Sequence, residues 1–169
     1  MNFRLMTLDD APAFHELVKV NAPFLQDYFP KAIEARTSLI TATYIIKGYL
    51  AKSLAKEMFV FVAEENNELI GVLMIKSVDI YHSKCELGYY IAVAHHGKGI
   101  ATKGIKHLID YAFNELRLNK IYCRIATDNH ASNKVAEKNN FTLEGILKQE
   151  FKLSSGKYAD LNYYGLTKN

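Results

Sequence analysis

Cysteine is scarce in this chain, which has only Cys85 and Cys123 among its 169 residues. A secreted scaffold held by disulfides would be far richer in cysteine, so both read as buried free thiols in apolar, strand-like runs. Long apolar runs are also missing. No segment reaches the ~18 to 20 residues that a membrane span needs, and Met1 to Asp10 lacks the basic start and apolar stretch of a secretory leader. A cytoplasmic protein without membrane partners is the expectation. Charge of one sign is lacking too. The formal net charge is +3 with lysine and arginine spread along the chain, which is not the footprint of a nucleic-acid binder. Internal repeats, low-complexity tracts and Pro/Gly/Ser linkers are absent, so one domain over residues 1–169 is expected. His95 and His96 are adjacent, with no Cys or carboxylate at a ligand spacing, so no metal is expected. With 49% hydrophobic residues the chain can bury a core without disulfides or a structural metal.

What is present is an ordered series of strand and helix signals. Phe3-Arg4-Leu5 has the form of a short strand, and Thr7-Leu8-Asp9-Asp10 that of a capping box before Phe14, Leu17 and Val18. From Asn21 to Lys56 the apolar residues Ile40, Tyr44, Ile45, Tyr49 and Leu50 recur at helical spacing, with Pro23 and Pro30 confining any break to the earlier part. Met58 to Ala63 and Leu69 to Lys76 are β-branched and aromatic runs separated by a polar stretch of hairpin-loop length. Cys85 to Val93 is a third run. His96-Gly97-Lys98-Gly99 follows it, and then Ile105, Leu108, Ile109, Ala112 and Leu116 recur at amphipathic helix spacing. Ile121 to Ala126 is the next strand, making Cys85 to Ala126 a βαβ crossover with parallel strands. Ser132 to Asn139 reads as a helix, Phe141 to Lys152 and Ala159 to Leu166 as strands around Ser154-Ser155-Gly156. The fold class is α+β with a mixed sheet.

A glycine-containing turn between a strand and a helix exposes backbone N–H groups at the positive end of the helix dipole, where a pyrophosphate can bind. It can equally be a plain tight turn. A P-loop is excluded, because Gly99 and Gly104 have its spacing but Ile105 stands where its lysine must be. A dinucleotide fingerprint fits poorly, since Thr102 takes the place of the third glycine and several strands precede the turn.

His96-Gly97-Lys98-Gly99-Ile100-Ala101 resembles the acyl-CoA signature of the GNAT acetyltransferases, Gln/Arg-x-x-Gly-x-Gly/Ala, with His96 in place of the usual Gln or Arg. The resemblance extends to Glu86-Leu87-Gly88-Tyr89-Tyr90-Ile91 before the turn, and to Asn129-His130-Ala131-Ser132 after it. Glu137-Lys138-Asn139-Asn140-Phe141 and Glu144-Gly145 are similar to further family elements, with Asn140 at a usual Gly. Together these cover Glu86 to Gly145 and are similar to the Rim-type branch, which acetylates the N-termini of ribosomal proteins. The resemblance implies the GNAT acyl-CoA N-acyltransferase fold, a mostly antiparallel sheet whose central parallel pair splays to admit the pantetheine of acetyl-CoA. It implies an acetyl-CoA-dependent N-acetyltransferase whose acceptor is a protein N-terminus, such as that of a ribosomal protein. On that basis Ile91, Ala92 and Val93 offer backbone groups to pantetheine. His96, Gly97, Lys98, Gly99, Ile100, Ala101 and Thr102 hold the pyrophosphate, and Asn129, Asn133 and Lys138 complete the cofactor set.

Glu86 faces away from Cys85 and Leu87 on its strand and is the candidate general base, through a bridging water. It is otherwise a solvated or ion-paired strand carboxylate. Ser132 matches the serine that contacts the CoA sulfur in Rim-type enzymes, or it is an ordinary helix N-cap. Ala136 stands where many family members carry a tyrosine acid. Tyr81, Tyr89, Tyr90, Tyr163 and Tyr164 read as core and rim aromatics, with Tyr89 or Tyr90 available to line an acceptor groove. Two other functions stay open: acetylation of a small amine (polyamine, amino acid or aminoglycoside), and a non-catalytic CoA-binding module. Closed homodimers are common enough to be the prior for assembly.

Overall fold

The computed structural model describes residues 1–168. Its strands are β1 (Asn2–Leu5), β2 (Phe59–Glu65), β3 (Glu68–Asp79), β4 (Lys84–Ile91), β5 (Lys120–Ala126), β6 (Thr142–Lys152) and β7 (Tyr158–Thr167). Its α-helices are α1 (Ala11–Val20), α2 (Ala22–Leu25), α3 (Leu39–Leu54), α4 (Ile100–Asp110) and α5 (His130–Lys138). The seven strands form one sheet in the order β1-β2-β3-β4-β5-β7-β6. Every pairing is antiparallel except β4 with β5, as a βαβ crossover requires.

The β2–β3 hairpin closes between Glu65 and Glu68, with Asn66 at φ 51° and Asn67 at φ 63°. Two successive left-handed residues give the turn whose twist matches the flanking strands, and asparagine tolerates that conformation better than other side chains. Asn140 after α5 is likewise left-handed, at φ 64°.

Strand alternation separates two cores. Leu73, Ile75, Cys85, Leu87, Ile91, Ile121 and Cys123 pack with α4 residues Ile105 and Leu108 on one face. Val60, Val62, Val72, Met74 and Tyr90 pack with Phe14 and Val18 of α1 and Ala42 and Ile46 of α3 on the other. Both cysteines are buried and unpaired.

The break expected early in the stretch after Asn21 includes a 3-10 turn at Ala32–Arg36, and α3 starts only after Ser38, whose hydroxyl accepts the Thr41 N–H at 3.0 Å. Two features differ from the sequence expectation. Within α3 the buried residues are Ala42 and Ile46, while Ile40 and Tyr44 are 83% and 76% exposed. In addition, β4 stops at Ile91 and Val93–His95 form a 3-10 turn. The Asn21 side chain accepts the Val93 N–H at 2.9 Å and donates to Leu17 O at 2.8 Å, diverting the chain from strand geometry. No helix among the described residues is long and apolar enough to cross a membrane.

At the N-terminus, Asp10 receives the Thr7 N–H at 2.7 Å and a two-pronged Arg4 guanidinium at 2.7 and 2.9 Å, joining β1 to α1. Burial alone would raise the Asp10 carboxyl, but the Arg4 and Thr7 bonds outweigh it and hold it below the ordinary value. A carboxyl lowered by folding stabilises the native state fully above its unfolded value, about 3.9, and that contribution disappears as pH falls through the lowered native value. Asp10→Asn should therefore lose stability at pH 6 and lose progressively less below pH about 4, read from urea midpoints of both proteins across that range.

Candidate active site

The parallel ladder between β4 and β5 is short. It pairs Lys84 with Lys120, Cys85 with Ile121 and Glu86 with Tyr122, and then ends although the strands continue to Ile91 and Ala126. The outer halves diverge, and a cavity of about 510 Å³ opens between them. Leu87, Tyr89 and Ile91 reach it from the α4 face and Glu86 and Tyr90 from the α1–α3 face. The gap thus passes through the sheet, so one ligand can enter from each face.

At one end of the gap lies the glycine turn. Gly97 and Gly99 have φ of 76° and 74°, and a Cβ on either would meet nothing within 4 Å. Glycine is there for backbone conformation and open approach, and Gly99 directly precedes the first N–H groups of α4, which no helical carbonyl can satisfy. Gly97, Gly99, Ile100, Ala101 and Thr102 line the cavity, and so do Asn129 and Lys138. Lys134 lines it as well and was not singled out in the sequence. An elongated ligand with phosphates at one end and an extended, amide-bearing arm suits this shape, since the arm can pair with the freed edge of β4.

His96 lines the cavity through a ring folded back onto the strand: its Nε2 lies 2.9 Å from Ile91 O and Phe24 packs edge-on at 5.1 Å. Four other residues expected to touch a cofactor are placed elsewhere. Ala92 and Val93 have left the strand, and their N–H groups are taken by Ile70 O at 2.8 Å and the Asn21 side chain at 2.9 Å. Lys98 is exposed and outside the cavity wall, between the two glycines of the turn. Asn133 is buried, donating to Ala126 O at 3.0 Å and Asn129 O at 2.8 Å and accepting from Asn162 at 2.8 Å. With its amide satisfied on both sides, Asn133 braces α5 against β5 and β7.

Asn129, not Ser132, caps α5, its side chain accepting the Ser132 N–H at 3.1 Å. Ser132 therefore sits inside the first turn, and its hydroxyl accepts the Tyr89 hydroxyl hydrogen at 3.0 Å on the cavity wall. Burial, more than the opposing Ser132 bond, shifts the Tyr89 hydroxyl up to about 12, so it stays a proton-bearing donor at ordinary pH. Ala136 is buried and carries no donor. Tyr81, by contrast, is 91% exposed and belongs to neither core nor cavity.

Glu86, only 3% exposed, is held by cations on both oxygens. Arg124 donates from Nε at 3.1 Å and from Nη2 at 2.9 Å, and Lys76 Nζ lies 3.1 Å away. Arg124 also donates from Nη1 to Glu150 at 3.0 Å. The hydrogen bond from Arg124 to Glu86 is the largest cause of its raised guanidinium value, against the lowering effect of burial. An ionised carboxylate has about four acceptor positions, and three donors occupy Glu86. Cys123 lines the cavity too, and burial pushes its thiol above the ordinary value, which disfavours the thiolate.

The family model described as "Acetyltransferase (GNAT) domain" matches residues 1–142. The chain belongs to the GNAT acetyltransferase family. Among its relatives, the ribosomal-protein-serine acetyltransferase of Escherichia coli (strain K12) is 37% identical over 115 residues, covering 67% of this chain and 61% of that protein. The spermidine N(1)-acetyltransferase of Vibrio cholerae serotype O1 is 35% identical over 102 residues, covering 60% of this chain and 58% of that protein. The match thus spans somewhat under two thirds of the length of these curated relatives. The solved structure of RimL, a ribosomal L7/L12 α-N-protein acetyltransferase in complex with coenzyme A, superposes with a TM-score of 0.90 at 27% identity, covering 98% of this chain and 92% of that one. The seven-stranded sheet with one parallel pair is the GNAT fold.

Two tests follow from this GNAT site. Gly99→Ala forces a methyl-bearing residue into the left-handed region at a cost of about 1 kcal/mol and puts that methyl in the open approach to the turn, so coenzyme A affinity by calorimetry should fall about tenfold or more while the protein stays folded. Glu86→Gln leaves Lys76 without its anion and Arg124 with Glu150 alone, both cations being about a third exposed. Its urea midpoint should drop by the equivalent of about 1 to 3 kcal/mol, below the loss expected for a fully buried pair.

Proposed function

We propose that this protein transfers the acetyl group of acetyl-CoA to the N-terminal α-amino group of a protein, with a ribosomal protein as the favoured acceptor and the cytoplasm as its place of work. The charge of the cavity wall carries the choice of acceptor. Glu86 is the one acid among the described lining residues, and Lys76 and Arg124 offset it, while Lys134 and Lys138 add positive charge. A polyamine needs an acid-lined site, because each buried ammonium requires a partner. Asp27 and Asp128 lie outside the lining, close enough to raise the Tyr28 hydroxyl after burial has done so, and Asp27 already accepts the Ser154 N–H at 3.1 Å and the Ser154 hydroxyl. Likeness to the ribosomal-protein-serine acetyltransferase and to RimL supports the same acceptor.

Acetyl-CoA would supply an activated thioester, with its pyrophosphate against Gly97, Gly99 and the start of α4 and its pantetheine arm along the β4 edge. The chain's own task is then to admit a neutral amine from the Glu86 face and to support the departing sulfur. An α-amino group with a pKa near 8 is roughly a tenth neutral at pH 7, whereas a lysine near 10.4 is neutral about once in a few thousand molecules. Such an acceptor asks little of a base. The acceptor position that Arg124 and Lys76 leave free on Glu86 takes the surplus proton through a bridging water. Ser132 Oγ faces the sulfur and supports its developing charge.

A small-amine acceptor is the second reading, favoured by the likeness to spermidine N(1)-acetyltransferase. Thiol release from acetyl-CoA, followed with a thiol-reactive dye, separates the two. Peptides with free N-termini should turn over at least about tenfold faster, as kcat/KM, than lysine peptides or spermidine. Faster turnover of spermidine would overturn the acceptor assignment. Coenzyme A binding without release to any amine would leave only the CoA-binding module.

A further inference from the structure

The Tyr89–Ser132 contact joins two elements 43 residues apart in sequence, β4 and the first turn of α5, across the cavity wall. Tyr89 is the donor in this 3.0 Å bond. A serine hydroxyl has one hydrogen and two lone pairs, so with one lone pair engaged by Tyr89 its own hydrogen must point elsewhere. Among the described residues Ser132 Oγ has no other hydrogen-bond partner, and the direction left open is the cavity.

We infer that Tyr89 is a positioning residue: by donating to Ser132 Oγ it turns the Ser132 hydrogen toward the thioester sulfur. This rests on the proposed reading of Ser132 as the group that faces the sulfur. As the amine nitrogen bonds to the acetyl carbon, the carbon–sulfur bond breaks and sulfur keeps the electron pair. The Ser132 hydrogen bonds to that pair, the amine's proton passes through the bridging water toward Glu86, and the thiolate takes its proton from solvent water, leaving an amide and free coenzyme A. Tyr89 keeps its own proton throughout, as a hydroxyl raised by burial to about 12 must. A rotor fixed beforehand has no reorientation to make when charge appears on sulfur, and this preorganisation is the advantage of the pair. Ala136 supplies no donor of its own, so Ser132, oriented by Tyr89, is the hydroxyl offered to the sulfur.

The test compares binding of coenzyme A with that of desulfo-CoA, which lacks the sulfur, by calorimetry from pH 7 to 9.5. An ordinary thiol ionises near pH 8.5, and a hydrogen bond to the anion is roughly twice as strong as one to the neutral group. In the wild type the preference for coenzyme A should therefore grow about tenfold over this range. Tyr89→Phe should cut that gain to about threefold or less with desulfo-CoA affinity unchanged, which also certifies the fold. Ser132→Ala should abolish the gain, and adding Tyr89→Phe to it should change nothing more. With the best acceptor, kcat of Tyr89→Phe should fall while KM for acetyl-CoA holds. A Tyr89→Phe protein that keeps the full gain, or that weakens both ligands equally, overturns the inference, and so does a wild type with no gain. No acceptor enters the binding arms, so this failure and failure of the N-terminal acceptor assignment are separately visible.

Discussion

The ladder between β4 and β5 ends at the Glu86–Tyr122 pair, and the site depends on that early end. Two adjacent strands with buried edges would ordinarily pair to their tips, because an unmet backbone donor or acceptor away from water costs as much as a lost hydrogen bond. Here each strand is held on its other edge. β4 stays paired with β3 as far as Gly71 and Ile91, and β5 stays paired with β7 as far as Ala126 and Leu161. The outer pairings let the inner edges part without unravelling, and they leave a rigid slot with backbone groups facing a ligand. At Gly71 the β3 backbone packs close to β4, since a Cβ there would approach Tyr90 O at 2.9 Å. That tight contact anchors the diverging end of β4.

Because the gap passes through the sheet, strand alternation assigns the two faces different work. The odd residues of β4 from Leu87 to Ile91 look toward α4 and α5, the side that carries the glycine turn and Ser132. The even residues Glu86 and Tyr90 look toward α1, α3 and the aromatic wall of Phe29, Tyr28 and Phe151. Tyr28 stacks on Phe151 with ring centres 5.9 Å apart, closing this side between the segment after α2 and strand β6. The height of the glycine turn above the sheet is set by α4, which packs against Leu73 through Gly104. A Cβ at Gly104 would meet Leu73 at 2.8 Å.

Elements whose signal is carried by side-chain spacing were legible in the sequence: the β2–β3 hairpin, the βαβ crossover and the terminal pair of strands. The glycine turn was legible because left-handed backbone at Gly97 and Gly99 leaves a compositional mark. The divergence of β4 and β5 left none, since it is a matter of which backbone hydrogen bonds form. Val93 continues an apolar run and reads as strand, yet its N–H is captured by Asn21, 72 residues earlier, and no local pattern announces that. Asn133 beside Ser132 looks like a cofactor ligand, but neighbouring carbonyls and Asn162 take its amide. Tyr89 is one of eleven tyrosines, and only its distance to Ser132 distinguishes it. In α3 the helical period was legible and its phase was not: Ile40 and Tyr44 share the spacing of a core stripe while facing solvent.

Glu86 unites the electrostatic and the chemical constraints on the acceptor. Its carboxylate accepts two hydrogen bonds from Arg124 and faces Lys76 at 3.1 Å, so little of its acceptor capacity is left for a proton relay. An amine that is almost always protonated needs a strong base to become a nucleophile, and a carboxylate tied this way is poorly arranged for one. An α-amine needs far less help. The same two cations also cancel the charge that would attract a polyamine into the cavity, so basicity and electrostatics, which need not agree, favour the same acceptor. Were Lys76 or Arg124 absent, Glu86 would gain a freer acceptor position and a less screened negative charge, and both changes favour a polyamine under the proposed function. On the proposed reading, acceptor preference in this cavity belongs to the Lys76–Glu86–Arg124 cluster as a unit, not to the carboxylate alone.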